Sequence, residues 1–312
     1  MNRRTPSQRT LSAIALATSL TFLGAAGIAA PASAAPTSDN ANAAADCAGR
    51  SVPVSKISFQ LYSARTMINQ VGLEAVFAML AEIGYKEVQF AAAVGSYNVP
   101  VDEMQALLDK YGLKASSGQA AYNDANFASS YLPYAKEIGH RYTGSGGFGQ
   151  PGTATLADTL ATAEQMNRLG ELSVKNGTGK LFGHNHDGEF LRQFPDPVTG
   201  ELKSAWQFLV ENTDPRYVTF EIDVFWAEAA GVDVATLLEQ YGDRIELLHI
   251  KDGFLNGAER GVPSDVGEGE INWAPILSAA RPHVKQYVVE RDNAPATRET
   301  AEDSFRFLTC RK

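Results

Sequence analysis

Eight times between Ile57 and Leu308, a short apolar run of strand character gives way to a segment with helical period. The strand-like runs are Ile57–Leu61, Glu87–Phe90, Lys114–Ser117, Tyr142–Ser145, Lys180–Gly183, Val218–Asp223, Ile245–Ile250 and Gln286–Glu290. Between and after them, Leu73–Ile83 places Leu73, Val76, Phe77, Leu80 and Ile83 on one face. Asp102–Tyr111, Ala125–Ile138, Leu156–Asn176, Ser204–Asn212, Asp233–Tyr241, Trp273–Ala280 and Thr297–Leu308 supply the other helices. Glycine ends several of them (Gly84, Gly112, Gly139, Gly177, Gly242), the residue that tolerates a left-handed C-terminal cap. Eight β-α units in about 250 residues leave no room for a second domain and predict a closed (β/α)8 TIM barrel, a single-domain α/β fold. An open doubly wound sheet fits less well, because no glycine-rich phosphate fingerprint follows the first strand.

The chain before this repeat has a different character. Arg3, Arg4 and Arg9 precede the apolar stretch Leu11–Ala30, and Ala32-Ser33-Ala34 matches a small-residue cleavage site. Residues 1–34 therefore read as a signal peptide and the protein as secreted or extracytoplasmic. Arg3-Arg4 is compatible with the twin-arginine route, although Thr5-Pro6-Ser7 fits it poorly. Residues 35–52 read as a flexible leader, and 53–312 as the barrel. Removing residues 1–34 takes away three positive charges and no negative ones, which moves the formal net charge from −9 to −12. Such an acidic domain is a poor partner for nucleic acid or, after cleavage, for an anionic membrane. Cys47 and Cys310 lie near opposite ends of the barrel segment. In an oxidising compartment a bridge between them would fasten the first strand to the last helix.

The later strands carry the chemistry. Side chains alternate faces along a strand, so His184 shares a face with His186, Glu221 with Asp223, and His249 with Lys251. In a (β/α)8 barrel the C-terminal strand ends converge on one mouth. Carboxylates mixed with imidazole at that mouth suit a divalent cation such as manganese, magnesium, cobalt or zinc. Alone, each residue has a plainer reading: Asp223 as a helix cap, a single histidine as a hydrogen-bonded core residue, Glu290 as a surface partner of Arg291. Their occurrence on consecutive strands favours a site. His140 and His283 precede strands, at the opposite face, and read as structural. Gly144–Gly149 (GSGGFG) and Val266–Glu270 (VGEGE) lack P-loop spacing and read as flexible strand-end loops over the site.

The segments GHNHDGEF, FEIDVFWAEAAGVDVATLLEQYGDRIELLHIKD, VGEGEINW and YVVERD resemble the sugar phosphate isomerase/epimerase family, the xylose-isomerase-like barrels. The resemblance runs from about Ile57 to Leu308 and is strong from Gly183 onward. It implies a divalent metal, often manganese, held by Asp223, His249 and Glu290. The family's first ligand is usually a strand-five Glu, and here Glu189 and His184 compete for that place. For such metal-assisted chemistry Glu189, Glu290, His186 and Lys251 are the expected catalytic residues, Lys251 by neutralising oxyanion charge from the face it shares with His249. His184, Asn185 and Trp226 are expected to meet the substrate, Trp226 through its apolar ring. Trp226 stands three residues after Asp223, where the family's epimerases commonly carry a substrate-binding His. The implied activity is proton abstraction next to a carbonyl of a small sugar or glycoside through a metal-stabilised enediolate, giving isomerisation or epimerisation. β-Elimination from a keto-glycoside shares the first step. A barrel that binds sugar without turnover is the alternative from another class. A trinuclear-zinc endonuclease is disfavoured, because three clustered histidines are too few.

Overall fold

The computed structural model describes residues 51–91, 99–120, 123–292 and 296–310. The N-terminal segment with its cleavage pattern, and Cys47 of the expected bridge, lie outside them. Eight parallel strands close into a barrel in sequence order, with β1 beside both β2 and β8. The strands are β1 (Ile57–Gln60), β2 (Glu87–Phe90), β3 (Lys114–Gln119), β4 (Tyr142–Gly144), β5 (Lys180–His184), β6 (Val218–Asp223), β7 (Ile245–Ile250) and β8 (Gln286–Val289). All eight coincide with the expected runs to within two residues. The helices at Leu73–Ile83, Leu156–Asn176 and Trp273–Ala280 have the expected bounds. The segment expected to be helical over Ala125–Ile138 opens as a π turn over Phe127–Tyr131 before continuing as α-helix from Leu132.

The apolar core lies mainly between barrel wall and helices. Phe59 of β1 meets Tyr85 edge-on at 5.5 Å, and Phe220 of β6 meets Trp206 of the helix Ala205–Asn212 at 5.4 Å. Inside the barrel the filling is unusually polar. Gln60 of β1 donates to Gln89 of β2, Gln89 donates to Ser117 of β3 (3.0 Å), and the Ser117 hydroxyl donates to Gln286 of β8 (2.5 Å). These side chains are buried, so each hydrogen bond offsets a desolvation cost rather than adding a surplus.

Three short helices that the periodicity did not signal come next in the chain after β1, β5 and β6: Arg65–Val71, Gly188–Leu191 and Val224–Ala229. Four to seven residues are too few to display a helical period. Two hairpins, Gln193–Pro195 with Leu202–Ser204 and Asp252–Gly253 with Pro263–Ser264, extend the loops after β5 and β7. The expectation of a flexible loop at Val266–Glu270 is corrected. Asp252, buried, accepts from the Gly267 and Ile271 amides (2.9 and 3.3 Å) and from the Trp273 indole (2.7 Å). Glu270 in turn accepts from the Leu255 and Asn256 amides at 2.8 and 3.0 Å. This loop is pinned and stays off the cavity at the barrel mouth, whereas Gly146 of the other glycine-rich loop does line that cavity.

Candidate active site

Parallel register brings the chemistry together. His184 on β5 sits opposite Glu221 on β6, and Asp223 on β6 sits opposite His249 on β7. Glu290 follows the last residue of β8 by one. One ligand atom from each of His184, Asp223, His249 and Glu290 lies within 4.8 Å of all the others, and all four residues are buried. Two coordination bonds of roughly 2.1 Å span a little over 4 Å, so the four atoms need only a small contraction to share one divalent cation.

Asp223 combines the bland and the functional reading. Its Oδ1 accepts from the Trp226 amide at 3.0 Å and caps the helix Val224–Ala229. Its Oδ2 faces inward, 3.9 Å from His184 Nε2 and 4.0 Å from His249 Nδ1.

Glu221 lies two residues earlier on the same face of β6 and is fully buried. Its carboxylate accepts from Gln89 (2.5 Å) and Gln119 (2.8 Å) and stands 3.2 Å from His184 Nδ1 and 3.1 Å from His249 Nε2. Both imidazoles thereby turn their other nitrogens toward Asp223, which fixes the orientation in which they can ligate. Burial alone would lower the basicity of His249, but the carboxylates of Glu221 and Glu290 outweigh it and hold its pKa at about 10. Burial likewise works against the ionised form of Glu290, and Lys251 and His249 reverse that, holding its carboxyl well below the usual range. The centre is built for positive charge, the property a cation site requires.

Lys251 is buried under the mouth, with its ammonium 2.6 Å from Asp223, 2.8 Å from Glu290 and 2.5 Å from Asp292. Against burial, these three acids raise its pKa and keep it charged. Above it opens a cavity of about 430 Å³ lined among others by Tyr62, Gln119, His186, Trp226 and Glu290. The Trp226 ring lies 5.7 Å from the Lys251 ammonium and 5.9 Å from the His186 ring. Burial, then the neighbouring His184, lowers the pKa of His186, which favours its neutral, proton-accepting form.

A model of the xylose isomerase-like TIM barrel family matches residues 77–309. The chain belongs to that family. Among solved structures it is similar to a sugar phosphate isomerase/epimerase from Parabacteroides distasonis, with a TM-score of 0.67 and 24% identity over 83% of this chain and 95% of that one. It is also similar to the D-allulose 3-epimerase from Methylomonas sp., solved in complex with D-allulose, with a TM-score of 0.59 and 13% identity over 85% of this chain and all of the other. At these identities the two structures speak for the fold. In sequence it is 30% identical, over an alignment of 150 residues that covers 42% of this chain, to the inosose dehydratase of Salmonella typhimurium strain LT2. The chain spans about half (46%) the length of that curated relative.

Within this xylose isomerase-like barrel, the expected site residues divide. His184, His186, Trp226, Lys251 and Glu290 line the cavity, and Asp223 and His249 sit beneath it. Glu189 is corrected: it is not part of the four-ligand cluster, which takes His184 instead. The chain turns into a short helix at Gly188, where the Glu189 carboxylate meets Arg192 (2.6 Å), Thr153 (3.2 Å) and the His186 amide (2.9 Å). Asn185 is corrected as well. Its amide is engaged by the backbone of Asp223, accepting from the nitrogen at 2.9 Å and donating to the carbonyl at 3.3 Å, so it fixes that ligand and does not face the cavity. Phe225 is core. His140 and His283 keep the structural role expected of them: His140 is buried with Nδ1 2.6 Å from the Ala115 carbonyl, and His283 lies 3.0 Å from Asp243. Gln89, Gln119 and Asp292 were not anticipated, and Glu221, noted for the face it shares with Asp223, was given no role of its own. Strand alternation signals Glu221, while no pattern marks the glutamines.

Proposed function

We propose that this chain is a divalent-metal-dependent enzyme acting on a small sugar or related polyol ketone by removing a proton from the carbon next to a carbonyl. The observation that carries the reading is the buried His184–Asp223–His249–Glu290 cluster beneath a cavity of monosaccharide size. His184, Asp223, His249 and Glu290 would hold the metal, manganese by preference for this mixed donor set. When bound, the metal supplies Lewis acidity toward the substrate's oxygens.

The residues do the rest. Trp226 and Tyr62 offer apolar faces against which a sugar ring packs. His186, neutral and at the cavity wall, takes the proton and gives it back. Lys251, charged and held by three carboxylates, counters negative charge developing on the substrate oxygen without needing to move. Return of the proton to a neighbouring carbon or to the opposite face yields isomerisation or epimerisation. A second reading has one specific observation in its favour, the sequence similarity to inosose dehydratases. There the same carbanion expels a β-hydroxyl as water, and the enzyme is a lyase.

Incubation of the manganese-loaded protein with a panel of ketoses, inososes and keto-glycosides in deuterium oxide tests both. Deuterium at a carbon beside the carbonyl, without loss of water, supports the isomerase reading, and loss of water supports the lyase. Sugar binding with no exchange at all would leave a binding protein and overturn both. The proposal includes export, on the N-terminal pattern. Cleavage after Ala34 in the extracytoplasmic fraction is the expected finding, and an intact N-terminus would count against it.

A further inference from the structure

The opposite, N-terminal mouth of the barrel carries a pattern that the active site does not use. A cation stands at the start of every strand. Lys56, Lys86, Arg141, Arg244 and Lys285 immediately precede β1, β2, β4, β7 and β8, Lys114 and Lys180 open β3 and β5, and Arg216 lies two residues before β6. In a chain of net charge −9 this is a strong segregation. Helix C-termini also point to this end, and one exposed cation per helix end is a sufficient reason for a basic residue there. That reason accounts for the β5–β7 side, where each cation has a partner of its own. Lys180 meets Glu246 at 2.6 Å, Arg216 meets Asp214 at 2.5 Å, and Arg244 reaches Thr213 at 2.9 Å.

It does not account for the other side. Lys56, Lys86, Lys114, Arg141 and Lys285 line one depression of about 720 Å³, with Glu87 as the single carboxylate among them. Arg141 takes Glu87 at 3.2 Å, and Lys56 donates to the Val284 carbonyl at 2.8 Å. Lys86, Lys114 and Lys285 have no ion-pair partner among the described residues. Burial and the charge of Lys285 both lower the pKa of Lys56, so these cations repel one another within the depression. Gln286, nearly fully buried, lines the same depression. Its Oε1 is taken by Ser117 at 2.5 Å inside the barrel, and both the Gln286 Nε2 donor and the Glu87 Oε2 acceptor are buried without a partner. Three cations without an ion-pair partner, in a concave site with a single carboxylate, are what a bound oxyanion would neutralise.

We propose that this depression is a second binding site, for a small anion bearing adjacent phosphate groups, on the face of the barrel opposite the catalytic mouth. Isothermal titration with sodium tripolyphosphate at low ionic strength tests it. One saturable site is expected, weakened at least tenfold in the Lys86→Glu/Lys285→Glu variant, weakened again by salt, and unchanged in Asp223→Asn. Circular dichroism and melting of the variant separate loss of binding from loss of fold. Inorganic phosphate and phosphatidylglycerol vesicles form the other arms. Capture by vesicles with no tripolyphosphate binding would overturn the site in favour of a surface effect. Binding that survives the charge reversals, or that disappears in Asp223→Asn, would overturn it too. No saturable binding by any probe would leave the basic ring as a complement to the helix ends only.

Discussion

At the catalytic mouth the two halves of the barrel wall bring opposite chemistry together. Strands β5 to β8 contribute His184, Glu221, Asp223, His249 and, just beyond the last strand, Glu290, all able to carry charge. Strands β1 to β3 contribute Gln60, Gln89, Ser117 and Gln119, all neutral. The neutral half is not filler. Its amides donate to Glu221, the carboxylate that orients both histidines, and so allow an ionised group to remain buried. The difference shows that one half of this site holds the charge and the other half makes it tolerable.

The sharpest way to break this comparison is to remove charge from the β5–β8 side. Asp223→Asn and Glu290→Gln are each expected to abolish metal retention and to lower turnover by about a thousandfold or more, a loss of roughly 4 kcal/mol in transition-state stabilisation. Metal analysis of the purified variants checks the first effect and deuterium incorporation the second. Asp223→Ala should be worse than Asp223→Asn in melting temperature, because it also removes a helix cap contributing about 1 kcal/mol. Equal stability of the two would remove Asp223's second role.

The neutral half makes its own prediction with pH. His140, packed against β3 where Gly118 leaves room for its ring, has its pKa lowered by burial to about 4. The unfolded chain takes up this proton first as pH falls. The contribution is therefore complete above the ordinary value near 6.5 and is lost progressively between there and 4. Its full size is on the order of 3 kcal/mol. Stability of wild type and His140→Gln, followed by urea unfolding from pH 7 to pH 4, should converge as pH falls. Parallel curves would mean the histidine is not buried neutral.

Two smaller effects sharpen the division of labour. Glu221→Gln should weaken manganese binding by about 10- to 100-fold with the fold retained, as loss of an orienting partner does. Glu189→Gln should leave metal affinity unchanged, and an equal loss in both would return Glu189 to the centre. Gln119→Leu should cost about 1 kcal/mol in unfolding free energy and lower metal affinity less than Glu221→Gln does. A larger effect on the metal than Glu221→Gln would mean that the amides, and not the carboxylate, set the geometry.

The same division explains what could be read in the sequence. All eight strands were legible because short apolar runs at regular spacing are what a closed parallel wall demands. Asp223, His249 and Glu290 were legible because an ionisable residue ending such a run is conspicuous. Gln89 and Gln119 were not, since a glutamine in a strand has neither period nor charge to betray its partner across the barrel. Glu189 misled for a related reason. The resemblance called for a Glu at the end of strand five, yet a four-residue helix, too short to announce itself, turned the Glu189 carboxylate to Arg192 instead. Glu221 sat in view on the face shared with Asp223. Its role as a support emerged only once both imidazoles were placed around it.

The divided attachment of Asp223 has a consequence for how such a barrel can change its substrate. One oxygen grips the first turn of the helix that carries Trp226, and the other faces the centre. The cavity wall and the centre are therefore coupled like two arms of a lever on one pivot. A change that tilts this helix to admit a different ring also rotates the carboxylate. Altered selectivity through this wall then comes with altered metal affinity, whereas a change at Tyr62, on the far wall and free of that pivot, can shift one without the other.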